Sequence, residues 1–459
     1  MEEPSVAGPS TVLARRHGRA GWIRLNRPEA INALDLPVIR AVTHHLRRWR
    51  DDPDVALIVL DGAGERGFCA GGDIRAVRAS AHGDPALAAT LWREEYELDA
   101  LIAHYPRPVA VVMDGITMGG GVGLGAHASL RIVTERTVMA MPEVMIGLAP
   151  DVGSSLLLAR APGETGTHLA LTAGRIGPHD AVACGLADHV VASSRIPDLI
   201  DALADPGQPA SLDALHGRLA QESLVAPAGP GSRRHIAGPI SPTGPTGPGS
   251  PTGPGSPVST DGPPHGLIAQ RPWIDACYRA GTVEEILVAL RRRPEPAAAC
   301  AAAAIASASP TALKVTLRAL RNARAMTSVD ECLVQDYRVS LRFLHHHDLS
   351  EGIRAAVIDK DRSPHWKPAS LAEVTPDAVN QHFTPLGPGD LRLPPAQPPD
   401  PGRPQLGADP GLCGGCRHAS LNQTRRGPAY LRCTRATWDS RLPRYPRLPV
   451  GNCPGFQPR

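Results

Sequence analysis

The stretch Val109-Ala-Val-Val-Met-Asp-Gly-Ile-Thr-Met-Gly-Gly-Gly-Val-Gly-Leu124 decides the fold. Val109 to Val112 reads as a strand, and the five glycines between Gly115 and Gly123 read as a turn that opens a helix. The same arrangement occurs upstream. There the apolar run Val55-Ala-Leu-Ile-Val-Leu60 has the look of a strand buried on both faces, and Gly67-Phe-Cys-Ala-Gly-Gly-Asp-Ile74 follows it. Glycines just after a strand leave backbone N–H groups uncovered. Two such groups aimed at one point make an oxyanion hole, and tight turns for close helix packing are the alternative. Neither segment fits a phosphate-binding loop, because no lysine or hydroxyl follows the glycines, and neither gives G-x-G-x-x-G with an acid in the right frame. Val109 to Leu130 is apolar enough to suggest a membrane span, but Asp114, His127 and the glycines argue against one.

Working outward, Gly21 to Leu25 reads as a strand, Leu36 to Trp49 and Ala86 to Ala103 as helices, and the whole as strands alternating with helices around a mainly parallel sheet. Downstream, Met139-Ala-Met-Pro-Glu-Val-Met-Ile-Gly-Leu-Ala-Pro-Asp-Val-Gly153 places Glu143 and Asp151 in an otherwise apolar run. A carboxylate there has a perturbed pKa and suits a base or nucleophile. For Asp151 the competing reading is a helix N-cap before Leu156. Glu94, Glu95 and Glu97 read as a solvated charged face.

Gly and Pro supply 21 of the 41 residues from Ala226 to Gly266, at irregular intervals that exclude a collagen register. This segment is expected to be a disordered insertion. Five pieces result: a core over 11–225, the insertion over 226–266, an all-helical part over 267–384, a Pro-rich linker over 385–410 and a small module over 411–459.

Asn26-Arg-Pro-Glu-Ala, Phe68-Cys-Ala-Gly-Gly-Asp-Ile, the glycine turn after Gly115, Ala140-Met-Pro-Glu and Gly147-Leu-Ala-Pro-Asp-Val-Gly together resemble the enoyl-CoA hydratase/isomerase (crotonase) superfamily. Within it they look like the 3-hydroxyisobutyryl-CoA hydrolase branch, and Tyr337-Arg-Val-Ser and Ser350 to Pro368 look like that branch's C-terminal signature. The resemblance implies an α/β fold with a ClpP/crotonase-like β-β-α spiral core and a helical C-terminal subdomain. It implies that the N–H groups of Gly72 and Gly120 form the oxyanion hole, that Glu143 is the principal catalytic carboxylate with Asp151 beside it, and that Glu95 meets the acyl group's hydroxyl. The loops Arg27–Ala30 and Ala70–Ile74, with Asp73, would hold the CoA moiety. No cofactor is needed, CoA being part of the substrate. Hydratases of the superfamily carry a second glutamate where this chain has Gly123, which favours thioester hydrolysis in valine breakdown. The alternatives are another acyl-CoA activity, such as hydration or isomerisation, and a non-catalytic binding protein. Ser154, Ser155 and Leu156 depart from the branch's pattern and bear on the exact acyl group. Crotonase-fold proteins commonly form homo-oligomers.

The chain has 459 residues, 3% of them aromatic, and a formal net charge of +3. That total gives no reason to expect a nucleic-acid partner, but it is uneven. From Pro385 onward eleven arginines face four aspartates, which makes a basic tail on a mildly acidic body. The tail holds Cys413, Cys416, Cys433 and Cys453. C-x₂-C with two further cysteines suits a structural zinc ion, with an iron–sulfur cluster, a redox pair or no ligand as alternatives, and the module's partner is left open. The acidic start Met1-Glu2-Glu3-Pro4, with no apolar leader, and the scattered remaining cysteines lead to a cytoplasmic expectation.

Overall fold

The computed structural model describes residues 10–208, 210–222 and 266–393, together with two short strands, 419–423 and 429–433. Two compact units are present, Met1–Leu393 and Pro394–Arg459.

The first unit carries nine strands: β1 (Val12–His17), β2 (Ala20–Leu25), β3 (Leu57–Gly62), β4 (Gly67–Cys69), β5 (Val109–Met113), β6 (Ile116–Met118), β7 (Leu130–Thr134), β8 (Val138–Ala140) and β9 (His189–Val191). They form a six-stranded sheet, β1-β2-β3-β5-β7-β9, and a three-stranded one, β4-β6-β8. Only the β1–β2 pair is antiparallel. The chain lays one strand in the large sheet, the next in the small sheet, and then turns into helix. This repeats three times and constitutes the β-β-α spiral.

Helices α1 (Leu36–Arg50), α2 (Ile74–His82), α3 (Pro85–Ala103), α4 (Gly120–Ala126), α5 (Ser154–Arg160), α6 (Thr165–Thr172), α7 (Pro178–Ala183), α8 (Ile196–Ala204) and α9 (Leu212–Glu222) precede residue 223. After residue 265 come α10 (Arg271–Tyr278), α11 (Val283–Arg291), α12 (Pro296–Ser307), α13 (Pro310–Ala323), α14 (Val329–Leu344), α15 (His347–Ile353) and α16 (Pro376–Gln381).

The continuous apolar runs are explained by burial on both faces. Ile58 and Leu60 of β3 join one core with Val111, Tyr96 and Tyr337, whereas Leu57 and Val59 join another with Leu199, Leu203 and Leu219 of α8 and α9. The first core runs without a break into α10–α15, through Trp273, Leu313 and Phe343. Val55 and Ala56, expected to begin the strand, precede it: Val55 N–H closes a turn onto Asp52 O at 3.2 Å. The 109–130 stretch is two strands and a short helix. Among the described residues no single helix is long and apolar enough to cross a membrane.

In the second unit β10 (Ala419–Gln423) pairs antiparallel with β11 (Ala429–Cys433). Cys433 ends β11 and is partly exposed. Cys413, Cys416 and Cys453 lie outside the described residues, as does nearly all of the 226–266 segment.

Candidate active site

The small sheet delivers the site. β4, β6 and β8 are parallel neighbours, and their C-terminal ends lead directly into Ala70–Ile74, Gly119–Gly120 and Met141-Pro142-Glu143. Three segments far apart in sequence thus meet at one edge, which is where open α/β sheets bind ligands.

Leu34 N–H donates to Gly71 O at 2.8 Å and Asp73 N–H to Leu34 O at 2.8 Å, so Gly72, between them, turns its own N–H away from this bridge. Gly120 opens α4, and its N–H has no acceptor in the preceding turn. The two segments touch: a Cβ on Gly71 would lie 3.3 Å from Gly120 N. Gly119 must be glycine, since its φ is +50° and a Cβ would come 3.1 Å from Glu143 Oε1. A Cβ on Gly120 would come 2.2 Å from Glu95 Oε1. The Gly119–Gly120 backbone therefore runs between the two glutamates.

Glu143 starts a 3₁₀ turn, Glu143–Ile146, closed by Leu148 N–H on Glu143 O at 3.0 Å. The helices after residue 265 fix that turn. Ser309 N–H donates to Val144 O at 3.1 Å, and Gly352 of α15 packs its backbone against Ile146, where a Cβ would be 2.5 Å from Ile146 Cα. Glu143 is 5% exposed, and its Oε2 has no hydrogen-bond partner among the described residues. Burial, with the charges of Asp151 and Glu95, pushes its carboxyl well above the ordinary carboxylate range.

Asp151 does not cap α5. The N-cap is Gly153, whose N–H is taken by Asp336 Oδ2 of α14 at 2.9 Å. Asp151 instead accepts a hydrogen bond from Tyr96 Oη at 2.6 Å, and Tyr96 Oη lies 2.9 Å from Ser340 Oγ. Burial moves Asp151 up to about 6 even though Tyr96 pulls it down.

The glutamates of α3 do not form one solvated face: they divide, with Glu95 turned inward as the family resemblance implies. Glu94 points outward to Arg40, with both oxygens at 2.7 Å, and Glu97 is half-buried. Glu95, however, is 2% exposed, and burial plus Asp151 push it up to about 8. One turn further along α3, Asp99 is fully buried with neither oxygen partnered among the described residues. Burial and the charges of Glu95, Asp151 and Asp336 push Asp99 well up. It packs where a side chain at 123 would start, since a Cβ on Gly123 would meet both its carboxyl oxygens at 3.0 Å.

The two loops expected to hold CoA are zipped together. Asn32 Nδ2 donates to Ala63 O and Phe68 O at 3.0 Å, and Ala70 N–H to Ile31 O at 2.9 Å. Ala30 closes the 3₁₀ turn Pro28–Ala30, and Asp73 caps α2 just before Ile74. Arg27 lies 2.9 Å from Asp35 and 3.7 Å from Asp73 and donates to Ala33 O at 2.7 Å. Its guanidinium is thus engaged within the protein, and Arg66 donates to the carbonyls of Pro28 and Glu29 in the same loop.

The β-β-α spiral, with buried carboxyl groups at the ends of its small sheet, has the arrangement of the crotonase class, and comparison bears out the class. The chain belongs to the enoyl-CoA hydratase/isomerase family, whose model matches residues 20–236 and 256–383. It is 39% identical over 384 residues to the mitochondrial 3-hydroxyisobutyryl-CoA hydrolase of Rattus norvegicus, covering 83% of this chain and 91% of that protein. To the protein of the same name from Homo sapiens it is 38% identical over 383 residues, covering 83% and 90%. Among solved structures, a carnitinyl-CoA dehydratase from Mycobacterium thermoresistibile superposes with a TM-score of 0.71 at 41% identity, covering 84% of this chain and 99% of that one. An enoyl-CoA hydratase from Rhodobacter sphaeroides gives a TM-score of 0.69 at 39% identity, covering 84% and 100%.

Proposed function

We propose that the protein is an acyl-CoA thioester hydrolase that converts 3-hydroxyisobutyryl-CoA and water to 3-hydroxyisobutyrate and CoA. The observation that carries this reading is the buried pair Glu143 and Asp151 beside the Gly120 amide, with no side chain at 123 to supply the second glutamate of a hydratase.

The thioester oxygen sits on the N–H groups of Gly72 and Gly120, which stabilise the negative charge that develops there. Glu143, as the carboxylate, attacks the carbonyl carbon. The C–S bond breaks, CoA leaves as thiolate, and a mixed anhydride remains on Glu143. A water oxygen then adds to the anhydride while Asp151 takes its proton, and the hydroxy acid leaves Glu143 as carboxylate. Glu95, protonated near neutral pH, donates to the substrate hydroxyl and selects for a hydroxylated acyl group.

The test mixes purified protein with 3-hydroxyisobutyryl-CoA and a thiol reagent. CoA release far above a Glu143→Gln control is expected, and release equal to that control would end the proposal. Run in parallel with an enoyl-CoA, a hydration rate exceeding thioester cleavage would favour the hydratase reading instead.

A further inference from the structure

Asp151 sits on a bend with unusual backbone. Val152 has φ +54° and Gly153 φ +74°, and the left-handed region is poorly suited to a β-branched residue. Three side chains from three helices or their ends hold this bend. Tyr96 of α3 donates to Asp151 at 2.6 Å, His127 after α4 donates its Nε2–H to Val152 O at 2.7 Å, and Asp336 of α14 accepts from Gly153 N–H at 2.9 Å. Tyr96 is itself fixed. It is fully buried, its ring stands edge-on to Tyr337 at 6.2 Å, and its hydroxyl is 2.9 Å from Ser340 Oγ. A phenol has one proton, so Tyr96 gives it to Asp151 and accepts that of Ser340.

We propose that Tyr96, backed by Ser340, is a positioning residue for the hydrolysis: it selects the ionised, water-activating form of Asp151 and holds that carboxylate in one orientation. This rests on the hydrolase reading above. Burial makes the ionised form of Asp151 hard to keep, and among the described residues the titratable groups packed around it supply no charge that would help. Glu95 and Asp99 come from α3, Glu143 from the turn after β8 and Asp336 from α14, all of them acids, while His127 is held neutral by burial at about 4. The Tyr96 proton is the side-chain hydrogen bond that favours the charged form.

The test compares Tyr96→Phe, which keeps the ring, and Ser340→Ala with the intact full chain. For Tyr96→Phe, kcat near pH 6 falls about tenfold, KM stays within about twofold, and the acid limb of the kcat profile moves up by about one pH unit. Ser340→Ala moves it the same way by less. An acid limb unmoved in Tyr96→Phe overturns the proposal whatever happens to kcat, because a merely structural role would lower activity without moving that limb. Infrared titration gives a readout that needs no turnover: the carboxylate band missing in Asp151→Asn should titrate at higher pH in Tyr96→Phe, and an unchanged midpoint overturns the proposal. If the wild-type chain cleaves no acyl-CoA, the hydrolase reading falls while the infrared comparison still decides the role of the hydrogen bond.

Discussion

Glu164 and Glu143 are exposed to almost the same extent, 8% and 5%, yet their carboxyl groups behave oppositely. Burial raises both. Around Glu164 the hydrogen bonds from Arg324, Thr167 and Arg321, at 2.7 to 2.9 Å, outweigh it and hold the group below its ordinary value. Around Glu143 the nearby charges are Asp151 and Glu95, and among the described residues no cation offsets them. Arg–carboxylate pairs recur away from the site, as at Arg24–Asp61, Arg131–Asp188 and Arg338–Asp390. Burial alone therefore does not mark a reactive carboxyl in this protein. What sets the candidate site apart is burial among other acids, an arrangement that costs stability.

The largest effect that breaks this contrast is Glu143→Gln, which should lower CoA release by at least ~10³-fold while leaving the thermal midpoint equal or higher, since a buried acid with an unpartnered oxygen becomes an amide. Gly120→Ala should follow at ~10²-fold in kcat, because the new methyl displaces Glu95 and turns the amide. On the other side of the contrast, replacing Arg321 and Arg324 together by alanine strands Glu164 and should destabilise the chain by about 3 kcal/mol, without moving the pH profile of kcat.

The pH dependence of stability sharpens the same point. Glu95 at about 8 and Asp151 at about 6 bind protons more readily folded than unfolded, where carboxyl groups titrate near ~4. Their effect therefore makes the fold more stable as pH drops, and the thermal midpoint should fall as pH rises from about 6.5 to about 8, above the range where the buried His127, His168 and His382, held down to about 4, give the opposite slope. The salt-bridged Glu351, held down to about 2, works the other way only in stronger acid. Smallest of all should be Asp99→Asn. An amide replaces a carboxyl of the same shape, so activity stays within about twofold and the stability slope between those pH values flattens slightly.

Much of this was legible in the chain. Glycines following apolar runs gave the turns, and carboxylates inside an apolar stretch gave Glu143 and Asp151. Glu95 was harder to read, because three glutamates in four residues look like a wet face. Yet Leu91, Trp92, Glu95, Tyr96, Asp99 and Ile102 form one stripe at helical spacing, which is the signal that two acids of α3 point inward. β4, β6 and β8 are three residues each, too short for periodicity to reveal, so the sheet that assembles the site was hidden. Asp336 and Ser340 were beyond reach for a different reason: their partners, Gly153 and Tyr96, lie 183 and 244 positions away.

The packing of Gly352 on Ile146, and of Ser309 on Val144, has a consequence for how the polypeptide can be divided. Ser309 and Gly352 both come after residue 265, while the turn they hold belongs to the part before residue 223. A chain cut between those points would lose none of the contacts among the described residues. Two separately expressed halves should therefore make a split enzyme, each silent by itself and active only when they assemble.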